Sequence, residues 1–548
     1  METLYTYYFA VARWAIAFFC ILLGFLWVKY FKKSKPSLNV LAELTTSDGI
    51  SIPITSKENI IGRGKRADIL IPLGTVHTKH AVLFVKNKNW FLAPLDGKIS
   101  VNLQNLTKPA PLYYGDKITI AKQNLIFRNK KSNPLPQKEN GGVWLLLTLT
   151  VIQLLVFIEI MLRLWKEFPL TTAFVFGGLI VSEWVYFTIG RLFKNFTVAL
   201  EIPILFMLTF GFAVISTTNP EDILKQFLCF LAGGLGFLLL QFLLKFPEAL
   251  QQVQRVVMVL SLLLLYYTAF FGTVTGGARN WLSVGGFSFQ PSEICKPAFV
   301  FCGGATLYNI IKKPKMKLEF IIYSVLSMGA LAIMYDFGAV AIFFVGMLMV
   351  LTLRLMKPVF VFLITGGATI FAGAVILIFP YVAKRFGVWL HAWDYVDTLG
   401  YQQTRTMIAA ASGGLLGVGG GNGYLAGVSA SDTDLVFGIL CEEWGTIAAI
   451  AVALCIVAIS ACAIRFAKNA DSAFYAVCSL TAAVMIVFQS ALNIFGSLDI
   501  LPLTGVTLIF VSRGGTSIIS AMLMMSFLKS AQLNKRVISQ WRYEDEMD

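Results

Sequence analysis

Charge is scarce in this chain: Asp, Glu, Lys and Arg make up 14% of 548 residues, while 57% are hydrophobic. That balance excludes an ordinary soluble globular protein, whose charged share is nearer a quarter. Paired cysteine spacing is missing as well. The eight cysteines, among them Cys20, Cys229, Cys302, Cys455 and Cys478, fall almost all inside apolar runs, so neither a disulfide framework nor a zinc site is supported and packing is their expected role. The first apolar run, 8–28, lacks a small-residue cleavage site and is followed by Lys29, Lys32, Lys33 and Lys35. It reads as a retained anchor with its N-terminus outside. The net charge of +15 does not point to nucleic acid, because the cations sit in short clusters between apolar runs, such as Lys312, Lys313, Lys315 and Lys317. That is the pattern of cytoplasmic loops.

What is present is hydrophobic length. After a linker, 131–141, twelve apolar segments of about twenty residues each follow. With the anchor they predict about 13 transmembrane helices, the last three over 434–464, 472–496 and 505–528. Counted from an outside N-terminus, every second loop carries the Lys and Arg clusters, which places a C-terminal tail, 531–548, in the cytoplasm. Residues 38–130 differ: short β-rich runs such as "NIIGRG", "HAVLFV" and "KITIA" alternate with turn residues and predict a small all-β sandwich, also cytoplasmic. Three polar stretches then face outward: "GGARNWLSVGGFSFQPSEICK" (276–296), the loop 381–433 with its run "SGGLLGVGGGNGYLAG", and "FGSLDILPLTG" (495–505). The long loop also contains the aromatic "FGVWLHAWDYV" and is expected to fold rather than to be disordered.

Ionisable residues at membrane depth are expensive and therefore functional candidates. Here they are Glu201, Glu293, Lys296, Asp336, Asp434, Glu442, Glu443 and Arg513. Glu293 and Lys296 stand three apart on one helix face and can pair, as a site or as a structural bridge. Asp434, where the long loop enters a helix, is either an N-terminal cap or a desolvated general base.

Five stretches in order carry a family resemblance. "GGARNWL" with "FQPSEICK", "DFGAV" (336–340), "GYQQTRTMIAAASGGLLGVGGG" (400–421), "DTDLVFGILCEEWG" (432–445) and "LPLTGVTLIFVSRGGTS" (501–517) resemble the motifs of the SEDS proteins (RodA, FtsW, SpoVE). The resemblance implies a ten-helix core over 192–530, with two additional helices, 142–191, before it. It also implies a peptidoglycan glycosyltransferase that polymerises lipid II at the outer face of the bacterial cytoplasmic membrane, in elongation, division or sporulation. Asp434 would be the catalytic base. It would take the proton of the acceptor sugar 4-hydroxyl, whose oxygen displaces undecaprenyl pyrophosphate with inversion. Substrate contacts would come from Arg279, Trp281, Gln290, Glu293, Lys296, Asp336, Arg405, Ser412, Gly413 and Gly414. Of these, Lys296, Arg279 and Arg405 are expected to face outward and offset the pyrophosphate charge. The family further suggests Mg or Mn, although the sequence contains no dedicated metal cage and no organic cofactor is expected, and a class B penicillin-binding transpeptidase as partner. The chain departs from the family pattern at "VSASD" before Thr433, at Arg405 and at "LIF" (508–510). A flippase for lipid-linked oligosaccharide and an inactive scaffold recruiting a transpeptidase are the alternatives.

The β-rich segment, in "IIGRGKRADILIP", "VHTKHAVLFV" and "GKISVN", resembles a forkhead-associated (FHA) domain, which implies phosphothreonine recognition of a phosphoprotein or kinase. Arg63 fits a bidentate phosphate grip. His77 and Thr78 stand where that family has Ser and Arg, and Gly97, Lys98 and Ile99 where it has Asn-Gly-Thr. Phosphopeptide binding by Arg63, His77, Thr78 and Lys98 and phosphate-independent docking both remain open on these residues, and His80 is expected to be structural.

Overall fold

The computed structural model describes residues 2–33, 41–129, 141–309 and 316–533, apart from short breaks at 48, 55–57, 64–66, 72, 87–88, 122, 193–195, 247–249, 251, 286, 356–357 and 471–472. Most of the linker, most of the C-terminal tail and Lys35, Lys312, Lys313 and Lys315 lie outside the described residues.

The chain divides into two compact units. In the smaller, eleven strands, β1 Ala42–Thr46, β2 Ser51–Ile54, β3 Glu58–Gly62, β4 Ile69–Leu70, β5 Ala81–Lys86, β6 Asn89–Pro94, β7 Ile99–Val101, β8 Gln104–Leu106, β9 Ala110–Leu112, β10 Lys117–Ile120 and β11 Gln123–Asn129, form two sheets, in the orders β2-β1-β11-β10-β7-β8 and β4-β3-β5-β6-β9. Alternation along the strands sends Leu44, Ile54, Ile61, Leu83, Leu92, Ile118, Leu125 and Phe127 into one apolar core between the sheets, the arrangement expected when each strand has one wet face. This is the predicted sandwich.

The larger unit is helical: α1 Glu2–Lys33, α2 Gly141–Arg163, α3 Leu170–Gly190, α4 Glu201–Thr218, α5 Ile223–Leu243, α6 Gln254–Phe271, α7 Pro291–Asn309, α8 Met316–Ile333, α9 Phe337–Val350, α10 Pro358–Ile378, α11 Pro380–Val388, α12 Tyr401–Gly413, α13 Val436–Lys468, α14 Ala473–Ser497 and α15 Gly515–Leu533. Among the described residues eight helices are long and apolar enough to cross a membrane. Side chains such as Leu235, Val259 and Leu263 remain exposed on them, as lipid-facing surfaces require. This is a multi-pass membrane protein. Of the eight cysteines, all free, six are buried and two are half-buried.

The last span departs from expectation, since helix starts at Gly515 and not near 505. Residues 501–514 instead run through the protein as irregular chain, with Gly505 and Phe510 in left-handed conformations at φ 70° and 65°. Neighbouring elements fix that path. Asn493 Nδ2 donates to the Val506 carbonyl at 2.7 Å, Gln489 Nε2 to the Thr507 carbonyl at 3.1 Å, and Gln226 Nε2 to the Ser512 carbonyl at 3.1 Å. Non-helical backbone at membrane depth is tolerated where protein groups satisfy it in this way.

Candidate functional site

The polar stretch that follows α6 is a small three-stranded meander: β12 Thr273–Thr275, β13 Ala278–Val284 and β14 Phe287–Phe289. Gly276, Gly277 and Gly285 make its turns at φ 60°, 89° and 58°, values that glycine reaches without strain. Polar side chains tie the meander to the core. Asn280 Nδ2 and Gln290 Nε2 both donate to Asp336 Oδ2, at 3.0 and 3.1 Å, while Asp336 Oδ1 accepts from the Ala339 N–H at 3.0 Å and caps α9. Asp336 is thus a joint between the meander and α9. Arg279 is exposed and Trp281 half-buried.

On α7, Glu293 and Lys296 form an ion pair at 2.6 Å. Lys296, expected to face outward, is only 2% exposed, and its ammonium also donates to Gln489 Oε1 at 2.7 Å. A buried ammonium in an apolar bundle needs both partners. The pair therefore locks α7 to α14, and through Gln489 to Thr507 on the irregular 501–514 chain.

Asp434 lies two residues ahead of α13. Its backbone N–H donates to the Ala430 carbonyl at 2.9 Å, and its own carbonyl accepts from Asn493 Nδ2 at 3.0 Å. A Cβ built on Gly505 would lie 3.4 Å from Asp434 Oδ2, so a glycine there keeps that flank of the carboxylate open. Burial pushes the Asp434 carboxyl up to about 6, against the pull of the Arg385 guanidinium and a hydrogen bond with Thr433. Arg385, on α11, donates to the Leu503 carbonyl at 2.8 Å; the sequence alone does not mark it, since nothing in a single Lys-Arg pair signals which loop it will face. Asp432, beside the carboxylate, accepts from Asn219 Nδ2 at 2.7 Å and pairs with Arg513 Nε at 2.5 Å. The Arg513 N–H also donates to the Asp432 carbonyl at 2.8 Å, and Ser512 Oγ donates to the Thr433 carbonyl at 2.5 Å. Asp434 is held from both sides of the chain.

The long loop folds, as expected, into α11, α12 and a glycine-rich return. Gly445, at φ 82°, breaks the regular course of α13, and the return is spliced into that break. In an unbroken helix Thr446 and Ile447 would donate to the Glu442 and Glu443 carbonyls. Here those two N–H groups go to the Gly414 and Leu415 carbonyls, at 3.0 and 3.3 Å, and the freed carbonyls accept from Val418 and Gly419, at 2.9 and 3.0 Å. Side chains complete the splice, since the Glu442 carboxylate accepts from the Tyr424 and Leu425 N–H groups at 2.9 and 3.0 Å. Gly413 packs its backbone against Cys441 and Glu442. Gly414 turns the end of α12 at φ 56°. Ser412 and Arg405 remain exposed, Arg405 over the Tyr401 ring at 5.1 Å.

Glu159 and Glu183, on α2 and α3, are buried carboxylates that the sequence reading did not single out. Their signal was there, one acid inside an apolar run. Glu201, which it did single out, pairs with Lys529 at 2.5 Å.

In the sandwich, Arg63 is exposed and its guanidinium donates to the Gly74 carbonyl at 3.4 Å; His77, Thr78 and Lys98 are also exposed. His80 is structural, as expected: it is 3% exposed, with Nδ1 accepting from the His77 N–H at 3.2 Å and Nε2 3.0 Å from the Lys98 carbonyl. A Cβ at position 97 would lie 2.1 Å from that ring, so Gly97 is required by it.

The profile of the cell cycle protein family of FtsW, RodA and SpoVE matches residues 191–537, and that of the FHA domain matches 59–121. The chain is 30% identical over 300 residues to the probable peptidoglycan glycosyltransferase FtsW of Wigglesworthia glossinidia brevipalpis, covering 52% of this chain and 78% of the relative. It is 26% identical over 336 residues to the protein of the same name from Bacillus subtilis (strain 168), covering 57% and 81%. A chain solved in work on a peptidoglycan synthase complex that polymerises and crosslinks superposes with a TM-score of 0.54 at 22% identity, covering 64% of this chain and all of that one, and shares its fold. This protein therefore belongs to the FtsW, RodA and SpoVE family, with an FHA domain ahead of its family core.

Proposed function

We propose that the chain is a peptidoglycan glycosyltransferase that joins lipid II units at the outer face of the cytoplasmic membrane, with Asp434 as general base. One observation carries the reading: a carboxylate raised to about 6, held by its backbone on both sides, with Gly505 and Arg385 as neighbours. A base of that strength is mostly ionised at neutral pH yet more basic than a solvated aspartate, which suits abstraction of a sugar hydroxyl proton. The freed oxygen attacks the donor anomeric carbon and undecaprenyl pyrophosphate leaves, with inversion. Arg385 is the cation whose charge acts on the base, and the exposed Arg279 and Arg405 are the further candidates for the leaving-group charge. The donors at hand do not form a protein-only cage for a divalent ion. Asp432 and Glu293 are committed to Arg513 and Lys296, and no cluster of three His, Cys, Asp or Glu side chains occurs among the described residues.

The test is purified full-length protein with labelled lipid II and products resolved by size. Wild type is expected to give glycan polymer, and Asp434→Asn to lose at least ~10²-fold in rate, the usual contribution of a positioned base. Because the base works unprotonated, kcat/KM should fall as pH drops through about 6. A wild-type protein that makes no polymer, or an Asp434→Asn variant that polymerises normally, overturns the reading.

For the sandwich we propose phosphate-independent docking, with a class B penicillin-binding transpeptidase as the expected partner of the membrane core. The His80 ring occupies the space an asparagine at 97 would need. Titration of the full chain with phosphothreonine peptides is expected to be silent, and saturable binding lost in Arg63→Ala would refute it.

A further inference from the structure

The helices α1 and α2 lie outside the stretch that matches the family, 191–537, yet they reach the glycine-rich return that is spliced into α13. Tyr8 on α1 donates its hydroxyl to the Leu155 carbonyl of α2 at 2.7 Å, which joins the two helices. From this pair two side chains grip the return. Glu159 Oε1 accepts from the Gly420 N–H at 2.9 Å, and the Tyr5 hydroxyl accepts from Asn422 Nδ2 at 2.7 Å. Asn422 in turn donates to the Val418 carbonyl at 3.0 Å, closing the turn on itself. The fit is close: a Cβ at Gly419 would lie 2.8 Å from the Tyr5 hydroxyl and 2.9 Å from the Phe9 ring.

A carboxylate in an apolar two-helix hairpin is costly unless it has a partner. Glu159 is 1% exposed, and the group that bonds its carboxylate is a loop backbone N–H. A hydrophobic residue would pack that position without this cost. The hydrogen bond it makes is with the loop that completes the broken ladder of α13, the helix that Asp434 precedes by two residues.

We propose that Tyr5 and Glu159 are positioning residues of the glycosyltransferase site, and that α1 and α2 form an appended clamp setting the glycine-rich return, and through it the start of α13 and Asp434. This rests on the reading of Asp434 as the base. The FHA domain is inserted in sequence between α1 and α2, so the clamp is made of the two helices that bracket it. Clamping should act on the turnover step, since it places the base rather than touching substrate.

The experiment uses full-length protein in detergent, with three variants and two measurements. Glu159→Leu removes the acceptor, Glu159→Gln retains an acceptor oxygen, and Tyr5→Phe removes the acceptor for Asn422. Hydrogen exchange of the segment 414–425 reports the clamp without reference to activity, and lipid II polymerisation reports kcat and KM. Glu159→Leu is expected to speed exchange of that segment and to lower kcat roughly ten- to hundredfold, the scale of a small misplacement of a reacting group, with KM within about twofold. Tyr5→Phe should move both in the same direction by less, and Glu159→Gln should restore both. Faster exchange in Glu159→Leu with unchanged kcat overturns the proposal, as does a failure of Glu159→Gln to rescue. If wild type makes no polymer while exchange still separates the variants, the assignment of Asp434 has failed and the proposal built on it falls too, but the clamp on the loop stands as a structural fact.

Discussion

The core holds two glycine-rich stretches of similar composition, 276–286 and 412–427, and they use glycine for opposite reasons. In the first, Gly276 and Gly285 bend the chain at positive φ with open space where a Cβ would be. They are hinges of a meander whose place is fixed by side chains, Asn280 and Gln290 on Asp336. In the second, Gly414 also only turns the chain, but at Gly413, Gly417 and Gly423 the absent side chain is itself the requirement. A Cβ would lie 2.0 Å from the Cys441 carbonyl at Gly413, 2.2 Å from the Glu443 carbonyl at Gly417 and 2.6 Å from Glu442 Oε2 at Gly423. Glycine there lets backbone meet backbone. The first stretch is a wall held by polar pegs, and the second is a strap threaded through a helix.

That difference is easiest to break at Gly417. Alanine there meets both penalties, a φ of 85° and a carbonyl carbon and oxygen within 2.6 Å, and the clash is with backbone that cannot rotate away. The loss should reach the exceptional range above about 4 kcal/mol. The readout is the temperature at which the detergent-solubilised protein loses monodispersity, together with loss of polymerisation. An alanine variant as stable as wild type would mean the splice into α13 is not rigid.

The peg on the other stretch comes second. Asp336→Ala removes the cap of α9 and the shared acceptor of Asn280 and Gln290. A lost cap costs about 1 kcal/mol, and each of the two hydrogen bonds from the half-buried Asn280 and Gln290 about 1 kcal/mol net, so a total near 3 kcal/mol is expected. Asp336→Asn, keeping one acceptor oxygen, should recover about half. The predicted signature is local: faster hydrogen exchange over 273–289 with 414–425 unchanged.

Such differences were only partly written in the sequence. The sandwich was legible because period-two alternation reports one wet face directly, and the helices because about twenty apolar residues leave few other options. The family stretches brought Asp434 and the meander to attention as residues. What single-sequence reading lacked was partners. The spacing of Glu293 and Lys296 announced a pair, but Lys296 was expected to face outward because nothing local reveals that Gln489, 193 residues on, will share its ammonium. Residues 505–514 looked helical because they are apolar, and only the tertiary donors Gln226, Gln489 and Asn493 allow them not to be. Glu159 meets a glycine N–H 261 residues away, beyond any local pattern. In the sandwich the motif around His80 was readable, but not that its ring fills the space beside Gly97.

The smallest effect tests the comparison from its gentle side. Gly276→Ala carries only the conformational cost of φ 60°, on the order of 1–2 kcal/mol for an L-residue in the left-handed region, because no atom lies within 4 Å of the added methyl. The turn between β12 and β13 should therefore survive, and Gly276→Asn should be milder still, since asparagine tolerates that region. Thermal loss of monodispersity should shift by no more than a few degrees in Gly276→Ala and less in Gly276→Asn. If both variants instead lost polymerisation outright while folding normally, Gly276 would be needed for close approach of a substrate and not for its φ, and the contrast between hinge glycines and strap glycines would dissolve.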